Sequence, residues 1–124
     1  MGHDTQIASA KTENGYNYDT CFAFLRPYID SADIAIANLE VSLAGPPYKG
    51  YPQFSSPDEL ISSIKKSGFD LLLTANNHSL DRRQAGMERT IRLLDSMNMI
   101  RTGTFKDEDQ RKRIYPLIIE KNNI

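Results

Sequence analysis

The sequence lacks the features that would indicate an oxidising compartment, a membrane span or a strongly charged partner. Its 124 residues contain one cysteine, Cys21, so no internal disulfide can form. No apolar run approaches the ~18 residues that cross a bilayer, and no signal-peptide pattern opens the chain. The net charge of −1 implies no bulk attraction to nucleic acid or acidic lipid. Cys21 lies beside Phe22 and Phe24 in a helical pattern, which predicts a buried apolar thiol rather than a nucleophile.

Several common catalytic motifs are also missing. The chain has no Gly-x-Gly-x-x-Gly or phosphate-loop motif, no Gly-x-Ser-x-Gly elbow and no cysteine pair that could bind zinc. These absences leave dinucleotide, P-loop nucleotide and serine-hydrolase chemistry without support. The length allows one domain at most, and a content of 40% hydrophobic and 25% charged residues is typical of a globular protein.

The pattern of apolar residues predicts alternating helices and strands. Pro27 is expected to kink the first helix or to mark its last turn, and Gly68 is expected to end the second. The first strand reads as buried on both faces. The predicted elements are a helix over 18–32, a strand over 33–39, a loop over 41–56, a helix from 56 to 67, a strand over 69–74, a helix over 83–97, an extended segment over 100–105, a charged connection or helical turn over 106–113, a strand over 114–120 and a turn over 121–123. Such alternation predicts an α/β fold with a largely parallel sheet.

Two of the predicted strands end in polar residues. Glu40 follows the first strand, and Asn76-Asn77-His78 follows the second. Because parallel strands end at the same edge of a sheet, Glu40, Asn77 and His78 are expected to converge there. A carboxylate, an amide oxygen and an imidazole suit Mn²⁺, Fe or Zn²⁺. Alternatively, Asn77 supports a left-handed turn, Asn76 or Ser79 caps the next helix, and His78 is a surface histidine; residue types alone favour this reading.

Asp81 and His3 also need an interpretation. Asp81 is either a first-turn acid that complements the dipole of the following helix or a partner that orients His78, and sequence alone favours the first. His3, taken in isolation, is an exposed residue near a terminus.

The stretch GFDLLLTANNHSLD, followed by Gly86 and a helix, resembles the signature of the bacterial capsule-synthesis, poly-γ-glutamate-biosynthesis family usually called CapA, within the calcineurin-like metallophosphoesterase superfamily. Residues 36–40, Ile-Ala-Asn-Leu-Glu, resemble the second motif of that family, and residues 1–4, Met-Gly-His-Asp, resemble the tail of its first. The segment over 51–57 resembles the connection between the second motif and the signature. ANNHSLD is the most specific part, and the match covers nearly the whole chain in order.

The resemblance implies a layered α/β sandwich with a metal centre at the strand ends. Glu40 then takes the position of the bridging carboxylate, Asn77 that of a metal-ligand asparagine, and His78 that of the histidine that protonates the leaving group. His3 is a further candidate ligand. The implied mechanism is attack of a metal-bound hydroxide on a phosphoryl or acyl centre. The implied setting is the cell envelope, extracytoplasmic or membrane-associated, with an anionic polypeptide or polysaccharide or a small molecule as substrate and an envelope synthase complex as a possible partner.

The sequence also departs from the family pattern. The Gly-Asp of the first motif would precede Met1, the later histidine motifs are missing, and Arg82 and Arg83 stand where aromatic or small residues and then glycine are usual. We therefore expect residues 1–124 to form the amino-terminal half of a family domain, without its first strand and carboxyl-terminal half. Such a chain should hold a divalent metal poorly, be nearly inactive alone and expose sheet edges and apolar faces. The alternative is a non-catalytic binding or scaffold module of the envelope with a vestigial metal site.

Overall fold

The computed structural model describes residues 2–120 and has an α/β architecture. Three short parallel strands form its main sheet, in the order β3 (Ile36–Asn38), β4 (Leu71–Leu73) and β5 (Ile100–Thr102), and a small antiparallel hairpin of β1 (Lys11–Thr12) and β2 (Gly15–Tyr16) lies outside it. The elements in chain order are α1 (Asp4–Ala10), β1 (Lys11–Thr12), β2 (Gly15–Tyr16), α2 (Asp19–Phe22), α3 (Arg26–Asp30), β3 (Ile36–Asn38), α4 (Glu59–Lys66), β4 (Leu71–Leu73), α5 (Arg83–Ser96), β5 (Ile100–Thr102) and α6 (Glu108–Ile114).

The parallel sheet is built from two β-α-β crossovers, as the sequence predicted. Helix α4 connects β3 to β4, and α5 connects β4 to β5. Gly68 has a φ of +97°, a conformation that glycine adopts without strain, and it ends the α4 segment as expected. Parallel strands require such crossovers because the chain must return to the same end of the sheet before it pairs again.

The two faces of the sheet differ in exposure. The side chains of Leu72 and Arg101 are buried on the face that joins the main core, whereas Ile36, Leu73 and Ile100 on the other face are 52%, 41% and 45% exposed. The expected exposure of apolar sheet surface is therefore observed. The prediction that the first strand is buried on both faces is wrong, since β3 lies at an edge of the sheet and its outer face is uncovered by the described residues.

The hydrophobic core lies between the inner face of the sheet and the helices packed on it. Helix α2 packs against α4, and α5 packs against β5. No helix within residues 2–120 combines the length and the apolar character that a bilayer-spanning helix needs. The core cluster comprises Ala10, Tyr18, Phe22, Leu39, Val41, Leu43, Phe54, Leu60, Ile61, Ile64, Leu72, Leu94 and Met99.

The helix predicted over 18–32 is wrong, because the structure divides it into α2 and α3. Pro27 lies in the first turn of α3 rather than in the last turn of one long helix, a position where its missing N–H costs no hydrogen bond. Phe22 and Ile29 are buried, and Phe24, which lies between the two helices, is 92% exposed. Cys21 is also exposed, and the predicted burial of its thiol is wrong.

The strand predicted over 114–120 is wrong as well. Ile114 is the last residue of α6, which begins where the Asp107 carboxylate accepts a hydrogen bond from the Gln110 N–H at 2.7 Å. Helix α6 therefore includes the first residue of the predicted strand, and residues 115–120 pair with no strand in the described part of the chain. The turn predicted over 121–123 lies outside the described residues.

Tyr18 offers a test of the energetics of this core. Its side chain is fully buried, and its hydroxyl makes no hydrogen bond with the described residues. An unsatisfied buried hydroxyl costs free energy, so we expect Tyr18→Phe to raise the free energy of unfolding by about 1 kcal/mol. Tyr28→Phe is the control, since that ring is 75% exposed and its hydroxyl can reach water.

The same substitution has a pH signature. Burial raises the pKa of Tyr18 from 10.0 to about 12. A raised pKa means that the folded state holds the proton more tightly, so the wild type loses stability as the pH rises from 10 towards 12. We expect the advantage of Tyr18→Phe in urea unfolding to be larger at pH 11 than at pH 8. An advantage that shrinks with rising pH would contradict this account.

Candidate functional site

The carboxyl ends of β3 and β4 form the candidate site. One cavity of about 460 Å³ opens there, and His3, Glu40 and His78 all line it. Its walls also include Tyr51 and Phe54, so the 41–56 loop forms part of the rim of the cavity. The predicted convergence of the strand ends is thus present in the structure for Glu40 and His78.

Asn76 ties the two strand ends together. Its Nδ2 donates to the Leu39 carbonyl at 2.9 Å and to the Asn38 side-chain oxygen at 3.2 Å. Its Oδ1 accepts from the His78 backbone N–H at 3.0 Å. Asn38 in turn donates from Nδ2 to Glu40 Oε2 at 2.9 Å. The Asn76 side chain therefore holds the end of β3 and the backbone of His78 next to each other. The residue pattern alone does not indicate this role.

His78 is held by a carboxylate. Its Nδ1 lies 2.8 Å from Asp81 Oδ2, and the same oxygen accepts from the Phe54 backbone N–H at 2.8 Å. Both side chains are largely buried, at 16% and 10% exposure. A carboxylate at Nδ1 keeps the proton on that nitrogen in neutral imidazole and leaves Nε2 as the reactive nitrogen.

The favoured interpretation of Asp81 as a first-turn acid is wrong. Helix α5 begins at Arg83, so Asp81 lies before it and instead orients His78. Two parts of the alternative account of the loop are also wrong, the left-handed turn at Asn77 and the helix cap at Asn76 or Ser79. The non-glycine residues with positive φ in the described chain are Arg83 and Asn98, so Asn77 supports no left-handed turn. Ser79 hydrogen-bonds within the loop, to Thr74 and Asn76, rather than capping the helix.

Phe54 packs between the two histidines. Its ring meets the His78 ring edge-on at 4.7 Å between centroids and the His3 ring at 5.5 Å. Edge-on packing of this kind restricts ring rotation and adds a favourable electrostatic contact. The aromatic content of the 41–56 loop was the signal in the sequence, although it could not single out Phe54.

His3 is positioned from the other side of the cavity. It is the residue before α1, and its backbone carbonyl accepts hydrogen bonds from Gln6 and Ile7. Asp4 accepts from the Gly50 N–H at 2.7 Å, and a Cβ on Gly50 would lie 2.9 Å from the His3 Cα. Helix α1, which the apolar pattern does not indicate, therefore brings His3 against the 41–56 loop.

The predicted metal ligands fit a divalent ion in kind but are too few in the described chain. Glu40 and His3 share the cavity, but Asn77 is exposed, does not line it, and makes no side-chain hydrogen bond with the described residues. Within residues 2–120 no three side chains of the His, Cys, Asp and Glu types are grouped to hold a metal ion. The described residues present carboxylate and imidazole donors without a complete coordination set.

Comparison with known proteins identifies the family. The family described as "Bacterial capsule synthesis protein PGA_cap" matches residues 1–124. The capsule biosynthesis protein CapA of Bacillus anthracis is 28% identical over 103 residues, which cover 76% of this chain and 25% of that protein. Two Sinorhizobium fredii proteins, y4sH and y4uA, are each 32% identical over 113 residues, covering 84% of this chain and 24% of theirs. The chain thus spans about a quarter of the length of these relatives. It belongs to the bacterial capsule synthesis protein family PGA_cap.

Proposed function

We propose that the site at the ends of β3 and β4 is part of the active site of a metal-dependent hydrolase or transferase that acts in capsule or poly-γ-glutamate production at the cell envelope. The observation that carries the proposal is that His78, whose Nδ1 lies against the Asp81 carboxylate, lines the same cavity as Glu40 and His3. Membership of a capsule synthesis family supports the biological setting. The substrate is an anionic polypeptide, polysaccharide or small molecule, and an envelope synthase complex is a candidate partner.

His78 is the proton donor in this proposal. Asp81 holds a proton on Nδ1, so the proton that reaches the leaving group comes from Nε2. Phe54 holds Asp81 through its backbone N–H and packs on the His78 ring, which fixes the direction of Nε2. A fixed donor needs little reorganisation when the leaving group departs.

Glu40, Asn77 and His3 are the proposed metal ligands. A divalent ion bound there would supply Lewis-acid polarisation of a phosphoryl or acyl oxygen. The Asn38–Glu40 hydrogen bond would orient the carboxylate, as partners outside the coordination sphere commonly do. Since the described donors are too few to close a site, we propose that residues 1–124 alone bind metal weakly and turn over little substrate.

Metal titration and an activity assay on the purified chain test this proposal. We expect weak Mn²⁺ or Zn²⁺ binding that Glu40→Ala and Asn77→Ala each reduce further, and negligible hydrolysis of an activated phosphodiester. Glu13→Ala is the matched control, because it removes an exposed carboxylate outside the cavity. Hydrolysis that disappears with His78→Ala would refute the expected inactivity and support the catalytic assignment. Binding that is insensitive to both ligand variants would refute the metal assignment.

The second candidate function is a non-catalytic envelope module that binds or scaffolds an anionic polymer or a synthase complex. Asn77, one of the three proposed ligands, does not line the cavity of Glu40 and His3, which is the arrangement expected of a vestigial site. The two functions separate when the longest natural form of the protein is titrated with Mn²⁺. Stoichiometric binding abolished by Glu40→Ala supports the enzyme, and no binding supports the module.

A further inference from the structure

A second cavity, of about 540 Å³, shares no lining residue with the first and is lined by arginines. It opens between the 44–46 segment, Gln53 and the first turns of α5. Asp81 is the acidic residue in its wall, and that carboxylate already accepts hydrogen bonds from Phe54 and His78. The basic residues in the wall are Arg82, Arg83, Arg89 and Arg92.

Two of the four arginines are neutralised by acids. Arg89 makes a bidentate pair with the Asp58 carboxylate, at 2.8 and 2.7 Å, which raises the pKa of the arginine. Arg92 lies 3.7 Å from Glu88 one turn earlier on α5. Since both arginines have an acidic partner, they leave little uncompensated positive charge for a ligand.

The other two arginines have no acidic partner among the described residues. Arg82 donates from Nη2 to the Pro47 carbonyl at 3.2 Å, and its Nε is buried without an acceptor. Arg83 is exposed and makes neither a side-chain hydrogen bond nor an ion pair within the described chain. Two uncompensated guanidinium groups therefore border the same cavity.

The position of these arginines is unfavourable for the helix itself. Arg83 is the first residue of the 14-residue α5, whose first turn has no acid and whose N-terminus has no side-chain cap. Positive charge at a helix N-terminus opposes the helix dipole. Arg83 also has a φ of +56°, which costs energy for a residue with a Cβ. Neither feature stabilises α5, and no acidic residue in its first turn offsets the charge of Arg83.

We propose that Arg82 and Arg83 form a binding site for an oxyanion, either a phosphate or a carboxylate group. Guanidinium groups bind both through paired N–H donors. This site is separate from the cavity that contains Glu40 and His3, and the proposal stands on anion binding alone, whether or not the chain is catalytic.

Calorimetric titration of the full chain with inorganic phosphate and, separately, with citrate tests the site. We expect saturable binding of one anion per chain, weakened at least about tenfold by Arg83→Gln, which removes one charged hydrogen-bonding partner. Raising the salt concentration should weaken binding further because exposed charges are screened. Tighter binding of phosphate would identify a phosphoryl ligand, tighter binding of citrate a carboxylate ligand, and either supports the oxyanion site.

Arg113→Gln is the matched control, since it removes from α6 an exposed positive charge that lies outside this cavity and has no acidic partner within residues 2–120. Equal weakening by Arg83→Gln and Arg113→Gln, or no saturable binding of either anion, would overturn the proposal. Arg82→Lys provides a second measurement that keeps the charge and a donor to Pro47. We expect this variant to bind the anion more weakly than wild type while it unfolds at the same urea concentration.

Discussion

Gly103→Ala is expected to lower the free energy of unfolding by about 3 kcal/mol. Gly103 has a φ of +114°, and a Cβ there would lie 2.6 Å from the Ala75 backbone nitrogen and 2.8 Å from its Cβ. Both the backbone conformation and the contact are therefore unfavourable for alanine. Because the neighbouring atom belongs to the backbone, the clash can be relieved only if the chain after β4 moves.

That movement would be transmitted to the site. The strand ends are joined beside Gly103 by Thr74, whose Oγ1 contacts the Thr104 hydroxyl at 2.7 Å and accepts from the Thr104 N–H at 3.0 Å. Ala75 directly precedes the Asn76 that bonds to Leu39 and His78. We therefore expect Gly103→Ala to shift the amide resonances of residues 75–78 as well as to destabilise the fold.

Gly68→Ala separates the cost of the backbone conformation from the cost of the contact with Ala75. Gly68 has a similar φ of +97°, but an added Cβ would meet only side-chain atoms, at 3.1 and 3.2 Å. We expect this control to cost about 1 kcal/mol, from backbone strain alone. Urea unfolding of both variants is the measurement. An equal decrease in the free energy of unfolding for the two variants would show that the contact with Ala75 does not contribute to the cost.

Asp81→Ala is expected to cost about 2–4 kcal/mol. The substitution removes the acceptor for two groups, the Phe54 N–H and His78 Nδ1, in a place where the carboxylate side chain is 10% exposed. A buried donor left without an acceptor pays its full desolvation penalty. Asp109→Ala is the control, since Asp109 is exposed and makes no side-chain hydrogen bond or ion pair within the described chain.

The same variant should change the chemistry of His78. With Asp81 present, the neutral imidazole keeps its proton on Nδ1; without it, the population is expected to move towards the Nε2–H tautomer. The ¹⁵N chemical shifts of the His78 ring report this population directly. An unchanged tautomer ratio in Asp81→Ala would show that the carboxylate supports the loop but does not orient the proton of His78.

Much of the α/β framework was predictable because its signals are local. The apolar spacing over 83–97 predicted α5, which the structure ends at Ser96. The short apolar runs before Glu40 and Ala75 predicted the strands that pair in parallel as β3 and β4. Helical periodicity, strand length and a glycine stop are properties of neighbouring residues, so they can be recognised from the sequence alone.

The errors arose where one local preference competed with another. Pro27 permits either the end of one helix or the first turn of another, and the structure adopts the second. Ile114 fits a strand by composition, but the capped α6 includes it. Neither outcome can be read from periodicity, because the deciding contacts involve caps and packing partners rather than the apolar pattern.

By itself the sequence determined that the ends of two parallel strands carry Glu40 and His78, because the order of apolar runs dictates which residues follow each strand. Only the tertiary structure decided what holds them. The Asn76 side chain donates a hydrogen bond to Leu39, which lies 37 residues away in the sequence. The Phe54 N–H donates to the Asp81 carboxylate, which lies 27 residues away. Such contacts depend on how the crossovers pack, and no local spacing encodes them. The same packing gathers Arg82 and Arg83 at one cavity, so the sequence supplies the charged groups and the fold supplies their arrangement.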